Sequence, residues 1–384
     1  MTIQIDPALA EPDPLSRAMP AGEADPFPLE GIDHVEMYVG NARQAAAYWS
    51  NLGFRPVAYR GLETGSRDHA SWCLEQGDAR IVLTAALRLD GDIAAHVAAH
   101  GDGVRDIAFT VPDATRAFEH AVASGAAPVS EPRVHEDEYG RVVRAAIATY
   151  GDTIHSLIER SDYAGTFMPG YSALAWSGAV RDAKLLSFDH IVGAVGLGDM
   201  DQWVDFYRRV LGFSQLQHFS DDVVSTDYSA LMSKVVAGGK GKIKFPICEP
   251  AQGLRKSQID EFLDFYGSPG AQHLAFATSD IVASAAALQA GGVSFLSIPD
   301  TYYEDVLERV PDLQTTVEDL RGQGVLADCD EDGHLLQIFS RPLQDRPTMF
   351  LELIERHGAR GFGEGNFKAL FEALERAQAA RGNL

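Results

Sequence analysis

Three side chains in the second half of the sequence could together bind a metal ion, namely His190, His273 and Glu352. Two imidazoles and one carboxylate match the ligand set of non-heme Fe(II) oxygenases, which leave the opposite coordination positions open for substrate and O2. The same three ligands also serve zinc hydrolases, so the residue types leave both metals open. Because the three residues are far apart in the sequence, the fold must bring them together.

Each of these residues also has an ordinary structural explanation. His190 lies in SFDHIVGAVG (187–196), whose apolar residues predict a buried strand, and a histidine there can be a hydrogen-bonded core residue. Glu352 and Glu355 fall on opposite faces of the predicted strand MFLELIER, and the pattern does not show which of them faces solvent. A functional interpretation therefore needs a second observation.

An internal repeat supplies that observation. GIDHVEMYVG resembles SFDHIVGAVG, and each is followed by an amphipathic helix that ends in an aromatic-rich Gly-Phe segment. Two further pairs of segments repeat, each predicting strands and, in the longer pair, a helix. The paired segments are 31–40 with 187–196, 101–132 with 268–299, and 153–160 with 348–356. The chain is therefore predicted to be a duplicated domain.

The repeat sets the expected domain boundaries. We expect a disordered or loosely ordered tail (1–28), an N-terminal metal-free domain (29–162), a linker (163–183) and a C-terminal catalytic domain with a capping C-terminal helix (184–384). Within each half a strand-helix unit followed by several strands occurs twice, which predicts an α+β fold in which each sheet curls into an open barrel with helices outside. A ligand would bind on the concave face.

Only the second half carries all three candidate ligands. The corresponding pairs are His190 with His34, His273 with Asp106, and Glu352 with Ser156 or Leu157, according to where the alignment is anchored. Equivalent strands of a cup converge, so the three ligands are expected to meet at one point. The comparison predicts one metal site per chain, in the second half.

Composition excludes several classes of function. The chain has 384 residues, with 32 basic and 55 acidic side chains, and its formal charge of −23 opposes binding to nucleic acid or anionic lipid. No apolar run approaches the roughly 20 residues that span a bilayer, and the N-terminus lacks the features of a secretory signal, so we expect a cytoplasmic protein with no membrane partner. Three dispersed cysteines support neither a disulfide framework nor a zinc knuckle.

Several long segments resemble the 4-hydroxyphenylpyruvate dioxygenase family, from about residue 26 onward. They are FDHIVGAV, DYSALMSKVV, IKFPICEPA, KSQIDEFLDF, GAQHLAF, DEDGHLLQIFSRP, QDRPTMFLELIER and GFGEGNFKALFEALE. The resemblance implies duplicated vicinal-oxygen-chelate domains of the glyoxalase/dihydroxybiphenyl dioxygenase type, each an open β-barrel of paired βαβββ units. It also implies one Fe(II) per chain, bound by His190, His273 and Glu352, and a homodimer or homotetramer. The expected reaction converts 4-hydroxyphenylpyruvate, an aromatic 2-oxo acid, and O2 to homogentisate and CO2 in tyrosine catabolism.

The resemblance carries over further residues as contacts of the substrate. These are Ser233, Cys248, Gln258, Gln272, Gln337, Phe339, Phe362, Asn366 and Phe367, with Ser233, Gln272, Gln337 and Asn366 expected to act in catalysis. Amides and a hydroxyl can hydrogen-bond a phenol or a keto acid, and Phe side chains can pack on an aromatic ring. Alternatively, Gln258 is a surface helix residue and Phe339 or Phe367 is plain core.

Cys248 departs from the family, which usually has an amide in this position (FPINEPA rather than FPICEPA). This keeps open a hydroxymandelate synthase, which resembles the chain and uses the same substrate and metal ligands but hydroxylates the benzylic carbon. A metal-free ligand-binding protein of the same fold is a second alternative. The C-terminal GFGEGNFKALFEALE is expected either to close as a lid over the cup or to stay docked.

Overall fold

The computed structural model describes residues 27–219, 231–251, 253 and 255–383. The first half contains β1 (Gly31–Tyr38), α1 (Ala42–Asn51), β2 (Arg55–Arg60), β3 (His69–Gln76), β4 (Ala79–Ala86), α2 (Asp92–His100), β5 (Gly103–Thr110), α3 (Ala114–Ala123), β6 (Pro128–Asp137), β7 (Gly140–Ala148) and β8 (Ile154–Glu159), and it is followed by the short strand β9 (Ser172–Ala173). The second half contains β10 (Leu185–Ala194), α4 (Met200–Leu211), β11 (Ser214–Phe219), β12 (Leu231–Gly238), β13 (Ile243–Pro250), α5 (Gln258–Tyr266), β14 (Gly270–Thr278), α6 (Ile281–Ala290), α7 (Val306–Arg309), α8 (Val317–Gln323), β15 (Leu326–Asp330), β16 (Gly333–Phe339), β17 (Phe350–His357) and α9 (Phe367–Arg381).

The strands form two sheets of equivalent order. In the first half the order is β6-β7-β8-β5-β1-β4-β3-β2-β9, and in the second it is β11-β12-β13-β10-β14-β17-β16-β15. In each sheet the first strand of the half is central, with one antiparallel neighbour (β5 or β14) and one parallel neighbour (β4 or β13). The predicted α+β fold of two duplicated, curled sheets is confirmed.

Strand register decides how the two halves correspond. His273 lies opposite the residue two positions before Glu352, and Asp106 lies opposite the residue two positions before Ser156. Ser156, rather than Leu157, is therefore the counterpart of Glu352. The register also makes Gln337 the counterpart of Arg144, because each pairs with the residue two positions after that site.

Local sequence explains where the outer helices begin and end. Asn41, Asp113 and Asp280 each accept a backbone N–H of the first turn of α1, α3 and α6, as expected of N-cap residues. Helix α4 ends at Gly212, which adopts the left-handed conformation that favours glycine. These helices place their apolar faces on the outer surfaces of the sheets, which leaves the concave surfaces for side chains of the strands.

The two halves share one buried core. The ring of Phe54 in the first half lies 5.5 Å from that of Phe276, and Phe109 lies 6.0 Å from Phe245. His155 on β8 also contacts the second half, since its Nε2 lies 2.8 Å from the Tyr207 hydroxyl on α4. The halves are therefore packed together through apolar side chains rather than merely tethered.

The predicted domain boundaries stay predictions. Most of the predicted tail lies outside the described residues, and Phe27, where the description begins, is buried and lies 5.8 Å from the ring of His120. Within the predicted linker, β9 pairs with β2 and the Phe167 side chain is buried. In the part of the chain that is described, no helix has the length and apolar character needed to cross a bilayer.

Candidate metal centre and active site

The three predicted ligands meet at one point on the concave face of the second sheet. They lie on three adjacent strands, β10, β14 and β17. The Nε2 atoms of His190 and His273 are 3.0 and 3.3 Å from the same carboxylate oxygen of Glu352. All three side chains are buried, with exposed fractions of 3, 9 and 2% in the order His190, His273, Glu352.

Both histidines have a partner that fixes the orientation of the ring. Nδ1–H of His190 donates to the carboxylate of Asp189 at 2.8 Å, and Nδ1–H of His273 donates to the Gln272 side-chain oxygen at 3.3 Å. These acceptors keep a proton on Nδ1, so Nε2, which faces Glu352, is the nitrogen of each ring that is available to a metal ion.

Asp189 is itself held by a buried ion pair. Nε and Nη2 of Arg356 donate to its two carboxylate oxygens at 2.7 and 2.9 Å, and Nη1 of the same guanidinium donates to the carbonyl oxygens of Ala359 and Gly361. Arg356 thus links the partner of His190 to the segment that enters α9. Sequence reasoning missed both Asp189 and Arg356 as parts of the site.

A chain of hydrogen-bonded amides fixes Oε1 of Glu352, the carboxylate oxygen that does not face the histidines. Gln337 Nε2 donates to Glu352 Oε1 at 2.9 Å and to the Phe362 carbonyl at 3.2 Å. Asn366 Nδ2 donates to the Gln337 oxygen at 3.1 Å, and the Tyr302 hydroxyl donates to the Asn366 oxygen at 2.6 Å. The carboxylate is therefore oriented by a fully connected polar network that reaches the start of α9.

The electrostatics of the cluster favour a charged carboxylate. Burial opposes ionisation, but the facing His190 and hydrogen bonds from both histidines lower the pKa of Glu352 to about 2. Burial likewise opposes ionisation of Asp189, while hydrogen bonds from Arg356 and His190 lower its pKa well below the usual range. Burial lowers the pKa of His273, which keeps that imidazole neutral. Burial opposes protonation of His190, but the charge of Glu352 and the hydrogen bonds to Asp189 and Glu352 raise its pKa. A bound cation would replace the proton on that ring beside the negative carboxylate.

The donor set fits a divalent metal ion. Among the described residues, these three form one of two groups whose nitrogen and oxygen ligand atoms all lie within 4.8 Å of one another. One carboxylate oxygen of Glu352 lies between the Nε2 atoms of the two histidines, so a single ion could bind all three atoms. Two histidines and one carboxylate suit Fe(II) or Zn²⁺ equally in residue type.

A cavity of about 90 Å³ opens beside the three ligands. Eight of the nine residues predicted to contact substrate line it, and the ninth, Asn366, lies behind Gln337 instead. The further lining side chains, not anticipated from the sequence, are apolar: Val192, Leu231, Val235, Pro246, Ile259, Leu370 and Phe371. Their only signal in the sequence was the alternation or helical spacing that also marks ordinary core residues.

Two polar side chains in the cavity have unusual environments. The Cys248 thiol on β13 donates to the Ser233 hydroxyl on β12 at 3.3 Å, and burial raises the pKa of the thiol to about 11. Gln258, at the start of α5, has a buried side-chain oxygen with no hydrogen-bond partner in the described part of the chain. Such an oxygen can accept a hydrogen bond from a ligand in the cavity.

The first half fills the equivalent place with an ion pair. Asp106 Oδ2 accepts the Ser156 hydroxyl at 2.5 Å and Arg144 Nη2 at 3.1 Å, and Arg144 Nε donates to the Ser156 hydroxyl at 3.0 Å. His34 keeps its aspartate partner, since its Nδ1 lies 2.6 Å from Asp33. A guanidinium thus lies where the second half presents its ligands, so the first half has no equivalent ligand set at this position among the described residues.

The repeated Leu-Ile-Glu-Arg sequence makes equivalent contacts within each half. Arg160 pairs with Asp33 as Arg356 pairs with Asp189. Glu159 accepts the Ala114 N–H at the start of α3, and Glu355 accepts the Ile281 N–H at the start of α6. Of the two glutamates of β17, Glu355 therefore serves the fold and Glu352 faces the site. The repeated Asp-His and Glu-Arg pairs were the sequence signal that could have revealed Asp189 and Arg356.

Comparisons with known proteins agree with this geometry. The family model "Hydroxyphenylpyruvate dioxygenase, HPPD, N-terminal" matches residues 24–169, and that of the "Glyoxalase/Bleomycin resistance protein/Dioxygenase superfamily" matches residues 187–338. The 4-hydroxyphenylpyruvate dioxygenase of Yarrowia lipolytica is 45% identical over 368 residues (92% of this chain, 93% of that protein), and that of Xenopus tropicalis is 44% identical over 366 residues (91 and 92%).

A solved structure extends the comparison to the fold. A mutant of 4-hydroxymandelate synthase from Streptomyces coelicolor shares 35% sequence identity, with a TM-score of 0.81 and coverage of 92% of this chain and 100% of that one. Identity above 40% over more than nine-tenths of both chains, together with the duplicated sheets, is decisive. The chain therefore belongs to the 4-hydroxyphenylpyruvate dioxygenase family.

Proposed function

We propose that this chain is an Fe(II)-dependent dioxygenase that converts 4-hydroxyphenylpyruvate and O2 to homogentisate and CO2, with one iron per chain. The observation that carries the proposal is the convergence of His190, His273 and Glu352 on one point beside a cavity. The activity named for its relatives agrees with it. When bound, the iron would supply the open coordination positions and the redox chemistry that O2 activation needs.

The protein residues bind and orient an aromatic 2-oxo acid. The cavity is lined mainly by apolar and aromatic side chains, which favour the ring and exclude water. Gln258, Gln272 and Ser233 are among the few polar side chains of the lining, and the unpartnered oxygen of Gln258 can accept a hydrogen bond from the phenol hydroxyl. The negative substrate carboxylate needs no arginine partner, because a bound divalent ion would neutralise its charge in this acidic protein.

The amide network keeps the carboxylate ligand in place during the reaction. Gln337 and Asn366 hold one oxygen of Glu352 by hydrogen bonds, so the other oxygen remains directed between the two imidazoles. Preorganised ligands reduce the reorganisation that metal binding and substrate binding would otherwise cost. On this account Gln337 and Asn366 are positioning residues, and their contact with substrate stays a prediction.

A hydroxymandelate synthase is the second candidate, supported by the structural similarity to that enzyme over nine-tenths of the chain. It would use the same ligands and substrate but hydroxylate the benzylic carbon. Cys248 bears on the choice, because a thiol hydrogen-bonded to Ser233 replaces the amide usual in the family and offers the substrate a smaller side chain with only a weak donor.

Product analysis distinguishes the two reactions. Protein loaded with Fe(II) under anaerobic conditions is mixed with 4-hydroxyphenylpyruvate and exposed to O2, and the aromatic product is identified by NMR. The two products are isomers, so mass alone does not separate them, but homogentisate has three ring protons and a methylene whereas hydroxymandelate has four ring protons and one benzylic proton. We expect homogentisate, while hydroxymandelate or the absence of O2 uptake would refute the main proposal.

A further inference from the structure

A second group of potential metal ligands lies outside the active site. Among the described residues, His96, His100 and Asp152 are the other set whose ligand atoms all lie within 4.8 Å of one another. His96 and His100 are four residues apart in α2, and Asp152 lies in the turn between β7 and β8. Side chains four apart share one face of a helix, a spacing that lets two imidazoles bind one ion.

The atoms of this group are spaced like those of the active site. His96 Nδ1 and His100 Nε2 lie 2.7 and 3.3 Å from the same oxygen of Asp152. The corresponding distances from the two active-site imidazoles to Glu352 are 3.0 and 3.3 Å. In both places one carboxylate oxygen lies between two buried imidazoles, which is the arrangement expected where a cation would bind.

One carboxylate oxygen of this second group has no partner. Asp152 Oδ1 is buried and accepts no hydrogen bond in the described part of the chain, so it is available to a bound ion. His96 is 4% exposed, so the group is shielded from bulk water. His100 Nδ1–H donates to the Tyr266 carbonyl at 2.6 Å, which leaves the Nε2 lone pair directed at Asp152.

One nearby charge opposes a cation here. Arg105 Nη1 lies 3.7 Å from the shared oxygen of Asp152, so its guanidinium already neutralises part of the carboxylate charge. Among the residues described by the structure, no lysine or arginine pairs with Glu352 in the active site, whose carboxylate hydrogen bonds come from Gln337 and the two histidines. A site beside Arg105 is therefore expected to bind metal more weakly than the active site does.

We propose that His96, His100 and Asp152 form a second metal site, which binds a divalent transition-metal ion of the Zn²⁺ class. Two imidazoles, one carboxylate and an open fourth position suit Zn²⁺. The site joins the two halves of the molecule, because the Tyr266 carbonyl that orients His100 ends α5 of the second half. A bound ion stabilises the folded protein by an amount that grows with the logarithm of its affinity at a given ion concentration.

The test measures Zn²⁺ binding by isothermal titration calorimetry, with the full-length protein stripped of metal. A Glu352→Ala background removes the carboxylate ligand of the active site and weakens that site, so we expect this variant to bind one Zn²⁺ per chain tightly, at the second site. Adding Asp152→Asn, which keeps the shape of the side chain, should weaken that binding at least tenfold. Adding Arg105→Gln instead should tighten it severalfold, because the competing charge is removed.

Two results would overturn the proposal: no Zn²⁺ binding by the Glu352→Ala variant, or binding that His100→Gln and Asp152→Asn both leave unchanged. Circular dichroism of each variant checks that it is folded, and the two single substitutions make the outcome independent of either one. The proposal does not rest on the proposed function. Asp152→Asn in the otherwise unchanged protein is expected to keep full turnover with Fe(II), so failure of one proposal is distinguishable from failure of the other.

Discussion

Asp189 and Asp33 form a matched pair of side chains, since each precedes a histidine and is held by an arginine of the repeated Glu-Arg sequence. Only Asp189 orients a metal ligand. Asp189→Asn is therefore expected to weaken Fe(II) affinity by about 10- to 100-fold, the range typical of partners of ligating histidines. Competition with a chelator measures the affinity.

Asp33→Asn is the control for that substitution. It breaks the corresponding ion pair with Arg160 in the first half, where the neighbouring His34 belongs to no ligand set among the described residues, and should leave Fe(II) affinity at the active site unchanged. An equal loss of affinity in both variants would show that the effect is general destabilisation. It would contradict the role given to Asp189.

The Cys248 thiol yields a second prediction for a single residue. Because burial raises its pKa to about 11, about one side chain in a thousand is thiolate at pH 8, and the cavity limits access further. Iodoacetamide at pH 8 should therefore label exposed Cys329 and leave Cys248 unmodified in the native protein. Peptide mass spectrometry reads out both sites, and rapid labelling of Cys248 would show that the cavity is open.

At the level of elements, α9 covers the cavity and is fixed at both ends. Asn366 bonds to Gln337 at its start, and Arg381 and Asn383 near its end bond to Glu261 of α5 at 2.6 and 2.8 Å. Glycines at 361, 363 and 365 precede the helix, and Gly363 has a positive φ that other residues rarely adopt. The structure thus describes the closed arrangement, and movement of α9 stays a prediction.

Glu261→Gln tests whether α9 opens as a lid. Loss of the charged partner of Arg381 should weaken the closed state by about 1 kcal/mol, as for a partly exposed ion pair, raising KM severalfold while kcat changes less. Limited proteolysis near residues 361–365 should accelerate to a similar degree. Lys368→Gln on the exposed face of the same helix is the control, and identical behaviour of the two variants would favour a helix that stays docked.

At the level of the whole molecule, His155 couples pH to stability. Burial lowers its pKa to about 4, while both ring nitrogens are engaged, one by the Ile107 carbonyl and one by Tyr207 of the other half. Its ordinary pKa in the unfolded chain is about 6.5, so below that value the unfolded state binds a proton that the folded state does not. Stability is therefore lost as the pH falls toward 4.

The expected loss from His155 is about 2 to 3 kcal/mol between pH 7 and pH 4.5. Urea unfolding at the two pH values measures it. His155→Gln cannot titrate, so its free energy of unfolding should fall by correspondingly less over the same range. Equal slopes for the variant and the unchanged protein would rule out this contribution.

The sequence predicts the duplicated fold because the repeated residues are those that build it. Asp-His, Glu-Arg and the helix caps recur in both halves and make equivalent contacts. The ligands were predictable for the opposite reason, since Asp106 and Ser156 differ from His273 and Glu352 at equivalent positions. The shared Asp-His and Glu-Arg pairs therefore build both halves, and the two positions that differ, beside the shared histidine, mark the candidate chemistry.

Other parts of the site could not be predicted from one sequence. Arg144 is recognised as the counterpart of Gln337 only from the strand register. Different loop lengths in the two halves hide this correspondence in the sequence. Leu370 and Phe371 face the cavity, but a helical apolar stripe looks the same whether it covers a ligand or a core. The second group of ligands was likewise hidden, because the turn between β7 and β8 brings Asp152 to His96 and His100 from a distant part of the sequence.

Anomalous scattering at the iron edge, from a crystal soaked anaerobically with Fe(II), locates the metal in this protein. We expect a strong peak in the second half, with the Nε2 atoms of His190 and His273 and a carboxylate oxygen of Glu352 each about 2.0–2.2 Å away, as for comparable metal–ligand bonds. A peak that lacks any of these three contacts, or no peak in this cavity at full loading, would contradict the proposed metal centre.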